Sequence, residues 1–331
     1  MTTPPADRCG YTYPSDGPLA ETDSAEGGSC CCRPRWGDHD RCVWHAVAAD
    51  PKPTEALDRH RETAANRELN RGPKPTDGRP AERLDGATFT GELFDADFEG
   101  CSLVGVDFSG AVFHGGSFVG ADLREADLRE ASLYQADFTD ADLTGARLTG
   151  ANLQETTFSD ATLTGAMLGE SFAYKSVCHR ADFTDARLVG ADLRQSTLAE
   201  ADLTEADLTE VRLQDASLSG ALLRESTLSG GQLADADLTD ADLTGASFHG
   251  ALLPGADLRE STLAGASFRD ADASETDIRA TDLSGATFSG TDLSEATLSA
   301  AGLAGVDLVD CRFDGASLRE ADLTEATLTD V

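Results

Sequence analysis

The sequence predicts an all-β fold, a square parallel β-helix solenoid of about twelve coils, from three observations. A five-residue period continues without interruption through most of the chain, small and large apolar residues alternate within each period, and phenylalanines recur at every fourth unit of the period. The 331 residues are 40% hydrophobic but only 6% aromatic. This composition suits a thin, extended core built from many similar units better than one large globular core.

The five-residue period defines five positions with different roles. Every fifth residue from Phe98 to Leu328, the central position, is Leu, Phe or Ile at 44 of 47 sites; the exceptions are Ala173, Cys178 and Ala273. Two residues earlier, the inner position holds only Ala, Ser, Thr, Gly, Val or Cys. Residues two apart in an extended segment point to the same side, so both positions are expected to face the interior. The residue between them, the outward position, faces solvent, and the first and second corner positions turn the chain.

The phenylalanine spacing predicts how many units form one coil. Stacked coils should place similar bulky side chains above one another. The central phenylalanines form two series in which every fourth unit carries the ring: Phe98, Phe118, Phe138 and Phe158, and Phe248, Phe268 and Phe288. Four units per coil are therefore expected. At about 4.8 Å between stacked strands, the solenoid would be a rod roughly 55–60 Å long.

Three sections are expected along the chain. Residues 1–50 form a Cys/His-rich N-terminal segment, and residues 51–83 contain a short helix (54–71) followed by a Pro/Gly linker. Residues 84–331 form the solenoid, called the rod below. Its first central residues, Leu84, Phe89 and Phe94, are offset by one residue from the later phase. A slip of one residue is therefore expected before Phe98.

The repeat units resemble those of a known family. The segments ADLRE (121–125), ADLTG (141–145) and ADLTE (201–205) are similar to the A(D/N)LXX pattern of pentapeptide-repeat proteins. The resemblance implies a right-handed quadrilateral β-helix. It also implies a possible role, since some bacterial members resemble B-form DNA in size, shape and charge, bind type II topoisomerases and protect them from quinolones. The motif is specific for the fold only.

Charge is concentrated on the rod. The chain has a formal net charge of −34, and residues 83–331 contain 46 acidic and 15 basic side chains. Such acidity is typical of a cytoplasmic protein from a salt-loving organism, here expected to be a halophilic archaeon, and it is also compatible with mimicry of nucleic acid. It argues against direct binding of nucleic acid, which needs a basic surface. No run of 18 apolar residues occurs, so neither a membrane span nor a signal peptide is expected.

Aspartate occupies the outward position 19 times, and outward residues four units apart should be stacked neighbours. Like charges in such a ladder are destabilising. Four outward arginines should partly neutralise it, each with an aspartate one coil away: Arg147 with Asp127, Arg187 with Asp207, Arg212 with Asp192 and Arg312 with Asp292.

The N-terminal cysteines and histidines predict a zinc site. Zinc prefers four Cys and His ligands in a tetrahedron, and a segment with little core can gain its fold from the metal. The best ligand set is Cys9, Cys32, Cys42 and His45, with Cys30 or Cys31 as substitutes for Cys32. The alternative is a loosely ordered tail whose cysteines are reduced or form disulfides. No other cofactor is expected.

The segment from Ser171 to Cys178 is the least regular stretch of the rod, because Ala173 underfills the central position between two aromatic residues. Either this coil repacks locally, or it displays Phe172, Tyr174 and Lys175 as a contact site for a partner. Cys101, Cys178 and Cys311 fall on inward positions and are expected to be buried.

These observations predict a non-catalytic, acidic interaction scaffold with an unidentified protein partner. The alternative is a DNA mimic that binds or protects a type II topoisomerase or another DNA-binding protein. An enzyme is not expected, because paired carboxylates on a convex rod have neither a cleft nor separated environments. Since repeats continue to Leu328 without a capping helix, a homodimer through the last coil is also expected.

Overall fold

The structure, a computed structural model, describes residues 84–89, 91–93 and 96–331. Short extended segments alternate with two-residue turns throughout this range. Three segments are long enough to be strands, namely β1 (Thr287–Ser289), β2 (Asp307–Val309) and β3 (Thr327–Thr329). They form a parallel sheet in the order β1-β2-β3, with Thr287 opposite Asp307 and Asp307 opposite Thr327.

Single parallel bridges extend the same register along the rod. Each joins an outward residue to the outward residue four units later, as Asp122 to Asp142 and Asp182 to Asp202. Four five-residue units therefore form one coil, which confirms the prediction from phenylalanine spacing. We number the four sides of the rod by their first in-phase central residues: side 1 contains Phe98, side 2 Leu103, side 3 Phe108 and side 4 Phe113, each with the residues that follow at every fourth unit.

The core is a continuous column of central and inner side chains. Nearly all of these side chains are buried. On side 1, the rings of Phe98, Phe118, Phe138 and Phe158 stack with successive centroid distances of 5.2, 4.6 and 5.1 Å. On side 3, Phe248, Phe268 and Phe288 stack at 4.8 and 4.9 Å.

Each unit satisfies its backbone N–H groups in a fixed way, which the unit 141–145 illustrates. Asp142 donates to Ala121 in the preceding coil at 2.9 Å, and Leu143 and Gly145 donate to Thr162 and Thr164 in the next coil at 2.7 and 3.0 Å. The inner residue of the following unit closes the turn, since the N–H of Ala146 donates to the carbonyl of Leu143 at 2.9 Å. The second corner residue has positive φ, 66° at Gly145, as the third residue of a type II turn requires.

The slip near the start of the rod lies one unit earlier than the sequence predicted. Glu92 pairs with Val112, four full units later, whereas Thr88 pairs with Asp107, one position short of four units. Leu93, in phase with Phe98, is buried as the central residue of its unit. The expected central residue Phe94 lies outside the described residues, as do residues 1–83 with the predicted helix and linker.

Candidate interaction site: an apolar band on an acidic rod

Aspartate is the most frequent outward residue of the rod, and nearly all outward aspartates bond to their own corner. In unit 136–140, the Asp137 carboxylate accepts hydrogen bonds from the Thr139 N–H at 3.0 Å and the Thr139 hydroxyl at 2.6 Å. Where the first corner residue is arginine, its guanidinium replaces the hydroxyl, as Arg124 does on Asp122 at 2.6 Å. Part of the acidic surface is therefore fixed by the turns themselves.

The predicted pairing between coils holds for two of the four outward arginines. Arg312 lies 3.3 Å from Asp292, and Arg212 lies 4.0 Å from Asp192. Arg147 and Arg187 make no ion pair within 4.0 Å with any residue that the structure describes. Corner arginines within the same unit supply most of the neutralisation instead, namely Arg124, Arg129, Arg194, Arg259 and Arg279.

One coil departs from this polar surface. In coil 161–180, three consecutive outward positions are apolar and exposed: Met167 on side 3 (43%), Phe172 on side 4 (52%) and Val177 on side 1 (39%). Tyr174 stands at the corner between Phe172 and Val177. We call these four residues the apolar band. It follows one coil around three sides of the rod.

The band exists because this coil keeps the register of its neighbours. Phe172 pairs with Asn152 and Asp192 in the regular ladder, so its ring stays outside while Ala173 is buried inside. The coil therefore does not repack locally, which was one of the two alternatives. The inward side chains of this coil are correspondingly small, namely Ser171, Ala173, Ser176 and Cys178. Burial raises the pKa of the Cys178 thiol to about 12.

Tyr174 and the adjacent Lys175 place polar groups at the corner between Phe172 and Val177. The Tyr174 hydroxyl donates to Gln195 at 2.7 Å, which holds the ring against the corner. The Lys175 ammonium lies 5.1 Å from the ring centroid and the Arg194 guanidinium lies 6.0 Å from it. Both distances suit a cation–π contact.

A shallow recess of about 410 Å³ adjoins Tyr174. Its lining includes Asp192, which is only 7% exposed and accepts two hydrogen bonds from the Arg194 side chain at 2.7 and 2.6 Å. Burial acts to raise the pKa of Asp192, but these bonds hold it below its usual value. Gln214 donates its side-chain amide to Gln232 at 2.7 Å, while its own buried carbonyl oxygen has no protein donor among the described residues.

Three cysteines lie within the described residues. Cys101, Cys178 and Cys311 are buried, as expected. The zinc ligands Cys9, Cys32, Cys42 and His45, with the substitutes Cys30 and Cys31, lie outside the described residues, and the zinc site stays a prediction. In residues 84–89, 91–93 and 96–331, no group of three or more His, Cys, Asp or Glu side chains is placed to hold a metal ion. Within the same ranges, no helix is long and apolar enough to cross a membrane.

Sequence reasoning identified Phe172, Tyr174 and Lys175 but missed Met167 and Val177. The signal was present, because these two residues and Phe172 fall on three consecutive outward positions of the repeat. Each alone is an ordinary exposed apolar residue. Only their succession around one coil indicates a continuous surface.

Family models match most of the rod. A pentapeptide repeat region model matches residues 91–168, and a model of eight pentapeptide repeats matches residues 176–215, 216–255, 253–290 and 291–330. Together they span well over half of the chain. The chain therefore belongs to the pentapeptide-repeat family, whose members fold as right-handed quadrilateral β-helices.

Solved structures of the same family are similar to parts of the chain. HetL from the cyanobacterium Nostoc sp. strain PCC 7120, involved in heterocyst differentiation regulation, is 34% identical over 63% of this chain and 89% of HetL, with a TM-score of 0.40. A pentapeptide repeat protein from the Arabidopsis thaliana thylakoid lumen is 31% identical over 33% of this chain and 69% of its own, with a TM-score of 0.15. Full-length QnrB1, a plasmid-mediated fluoroquinolone resistance protein, is 19% identical over 73% of this chain and 91% of QnrB1, with a TM-score of 0.18. No curated protein matches the sequence.

Proposed function

We propose that this protein is a non-catalytic interaction scaffold, an acidic rod of about twelve coils that presents one docking site to a protein partner. The observation that supports the proposal is the apolar band. Three neighbouring outward positions expose Met167, Phe172 and Val177, whereas outward positions elsewhere are mostly Asp, Ser and Thr. Exposed apolar residues grouped on an otherwise polar surface are typical of a protein interface.

The surface chemistry also favours binding over catalysis. Most outward carboxylates repeat in similar, partly exposed environments and are bonded to their own corner, as Asp137 and Asp237 are to Thr139 and Thr239. General acid–base catalysis needs two groups whose environments separate their pKa values, within a site that excludes water. Repetition along a convex face provides neither condition.

Partner capture from cells at native salt concentration tests the docking site. Mass spectrometry would identify the proteins captured by three baits: the full chain, the double variant Met167→Ser/Phe172→Ser and the control Leu252→Ser. Leu252 is a suitable control because it is also an outward apolar residue, 47% exposed, but lies away from the band. We expect partners that are retained by the control and lost by the double variant. Identical capture by all three proteins would remove the band as the docking site.

The alternative function is DNA mimicry, and the charge density of the rod favours it. Residues 83–331 carry a net charge of −31, and at about 4.8 Å per coil this is about one net negative charge per 1.9 Å of rod, close to the value of roughly 1.7 Å for double-stranded DNA. Side 2 is the most uniform face, with seven outward aspartates: Asp122, Asp142, Asp182, Asp202, Asp242, Asp282 and Asp322.

A supercoiling assay with gyrase from the same organism tests mimicry. The matched variant replaces Asp142, Asp202 and Asp242 with asparagine, which removes charge but keeps an acceptor for the corner N–H. If the rod is a mimic, wild-type protein alters gyrase activity at stoichiometric concentration and the variant does so less. Absence of any effect at stoichiometric wild-type protein would exclude mimicry of DNA towards gyrase.

We further propose self-association through the last coil. Leu328 is 51% exposed, and Phe313, Leu318 and Leu323 are only partly buried at this end. An end-to-end dimer would cover these side chains. Sedimentation that shows a strict monomer at every salt and protein concentration would contradict the proposal.

A further inference from the structure

The cations around the apolar band point to the chemistry of its partner. The Asp, Glu, Lys and Arg residues of coil 161–180 are Glu170, Lys175 and Arg180, so this coil lacks the acidic excess of the rest of the rod. Arg180 is engaged by Asp160 at 2.7 Å. Lys175 contacts the Tyr174 ring and has no carboxylate within 4.0 Å among the described residues.

Two more cations border the band on side 3. Arg147 and Arg187 are the strand neighbours of Met167 in the preceding and following coils. Neither makes an ion pair within 4.0 Å with a described residue, in contrast to the corner arginines, whose guanidinium groups rest on aspartates. The exposed Met167 side chain therefore lies between two arginines. Neither guanidinium group has a carboxylate within 4.0 Å in the described part of the chain.

The corner between Met167 and Phe172 is open. Gly169 occupies its first position and has no side chain, so the corner carries a single side chain, that of Glu170. Glu170, at the second position, is the carboxylate that borders this stretch of the band.

We propose that the apolar band binds an extended peptide segment in which apolar side chains are flanked by carboxylates. This inference rests on the proposed docking function and specifies its partner. The apolar side chains would cover Met167, Phe172 and Val177, and the carboxylates would pair with Arg147, Lys175 and Arg187. The preference is opposite to the one that the net charge of the rod suggests, since an acidic rod as a whole attracts basic partners.

Charge also argues against a second copy of this chain as the occupant. In a two-fold dimer the same patch faces itself. Arg147, Lys175 and Arg187 of one copy would then face those of the other across the apolar contact. Like charges placed together in an interface oppose association.

Selection from a library of random short peptides tests the proposal without a known partner. The full-length protein, the Met167→Ser/Phe172→Ser variant and the Leu252→Ser control would be selected in parallel at about 0.15 M salt, where ion pairs at the surface are only partly screened. The mutated side chains are about half exposed, and circular dichroism would confirm that the variants fold. We expect peptides enriched in Asp and Glu beside Phe, Leu or Met, selected by the wild type and the control but not by the double variant.

The affinity of one such peptide would then be measured against charge variants. Lys175→Glu combined with Arg187→Glu should weaken binding about tenfold or more, whereas Arg269→Glu, which changes an exposed arginine away from the band, should leave it unchanged. Selected peptides rich in Lys or Arg that still need Phe172 would overturn the inference about charge and leave the docking site intact. Peptides that bind the double variant as well as the wild type, or no selected peptide at all, would overturn the inference itself. The docking function would then depend on the capture experiment alone.

Discussion

The outward aspartate solves a hydrogen-bonding problem that the repeat creates. In unit 136–140, four of the five backbone N–H groups donate to backbone carbonyls, and the fifth, that of Thr139, donates to the Asp137 carboxylate at 3.0 Å. Asp142 and Asp182 serve Thr144 and Thr184 in the same way. The frequency of aspartate at this position therefore has a structural cause, in addition to any role of its charge.

Replacement of Asp137 separates the effect of its hydrogen bond to Thr139 from the effect of its charge. Asp137→Ala removes the acceptor and should lower stability by about 1 kcal/mol, the usual cost of losing a side-chain cap. Asp137→Asn keeps an acceptor oxygen and should lose less, although it removes the same charge. Denaturant unfolding at fixed salt measures both, with Ser117→Ala, on the same side of the rod, as the control. Equal losses for Ala and Asn would show that charge, and not the bond to Thr139, determines the effect.

The sequence predicts which side chains face inward better than it predicts their ion pairs. Alternation determines inner, outward and central positions, because backbone geometry allows only one arrangement in each extended segment. Ion pairs depend on side-chain rotamers, which the register does not determine. Arg194 reaches Asp192 in its own unit, at 2.6 Å, whereas the ladder of outward positions predicts only a neighbour one coil away, Arg212.

At the scale of the element, stacked phenylalanines join successive coils. The Phe138 ring is nearly parallel to those of Phe118 and Phe158, with interplanar angles of 5° and 11°. Each ring thus has a similar neighbour above and below it. Such a column favours the same residue at the same position of successive coils, which is why the spacing was readable in the sequence.

Truncation of Phe138 should be costly because the cavity would have rigid walls. Phe138→Ala is expected to lower stability by about 3–5 kcal/mol, whereas Phe138→Leu should cost much less, since Leu occupies most central positions in the rod. Thermal and denaturant unfolding would measure the difference. Similar losses for Ala and Leu would mean that the ring contacts, and not the filled volume, stabilise this part of the core.

The slip at the start of the rod shows what a local pattern does not determine. Leu93 and Phe94 are adjacent apolar residues, and either could occupy a central position. The choice follows from the next coil, because Glu92 pairs with Val112 and thereby places Leu93 inside. Register in a parallel stack is a contact between coils, so a single unit does not specify it.

For the whole molecule, electrostatic repulsion opposes the packing of the coils. The rod has 46 carboxylates and 14 cations, and each surface ion pair contributes only about 0–1 kcal/mol. Raising NaCl from about 0.1 to 1 M shortens the Debye length from about 10 to 3 Å and screens repulsion between all but the nearest charges. The melting temperature should therefore rise over this range. The Asp142→Asn/Asp202→Asn/Asp242→Asn variant should show a smaller rise, and an unchanged salt dependence would contradict the argument.

Acid should destabilise the rod once this repulsion is screened. The guanidinium of Arg129 holds the pKa of Asp127 below its usual value, and Arg259 does the same for Asp257. Because the unfolded chain takes up protons at the ordinary aspartate pKa of about 3.9, the stability from these pairs is complete above that pH. It is lost as the pH falls through the lower pKa values of the folded state.

Melting temperatures measured from pH 7 to pH 2 in about 1 M NaCl, where repulsion is screened, test whether stability falls with pH in this way. We expect a nearly constant value down to about pH 4 and a fall below it. Arg129→Gln removes the main cause of the low pKa of Asp127 and should make the fall smaller, whereas Arg269→Gln, which breaks no ion pair among the described residues, should not. A melting temperature that rises steadily below pH 4 would mean that relief of repulsion outweighs the aspartate pairs even in high salt.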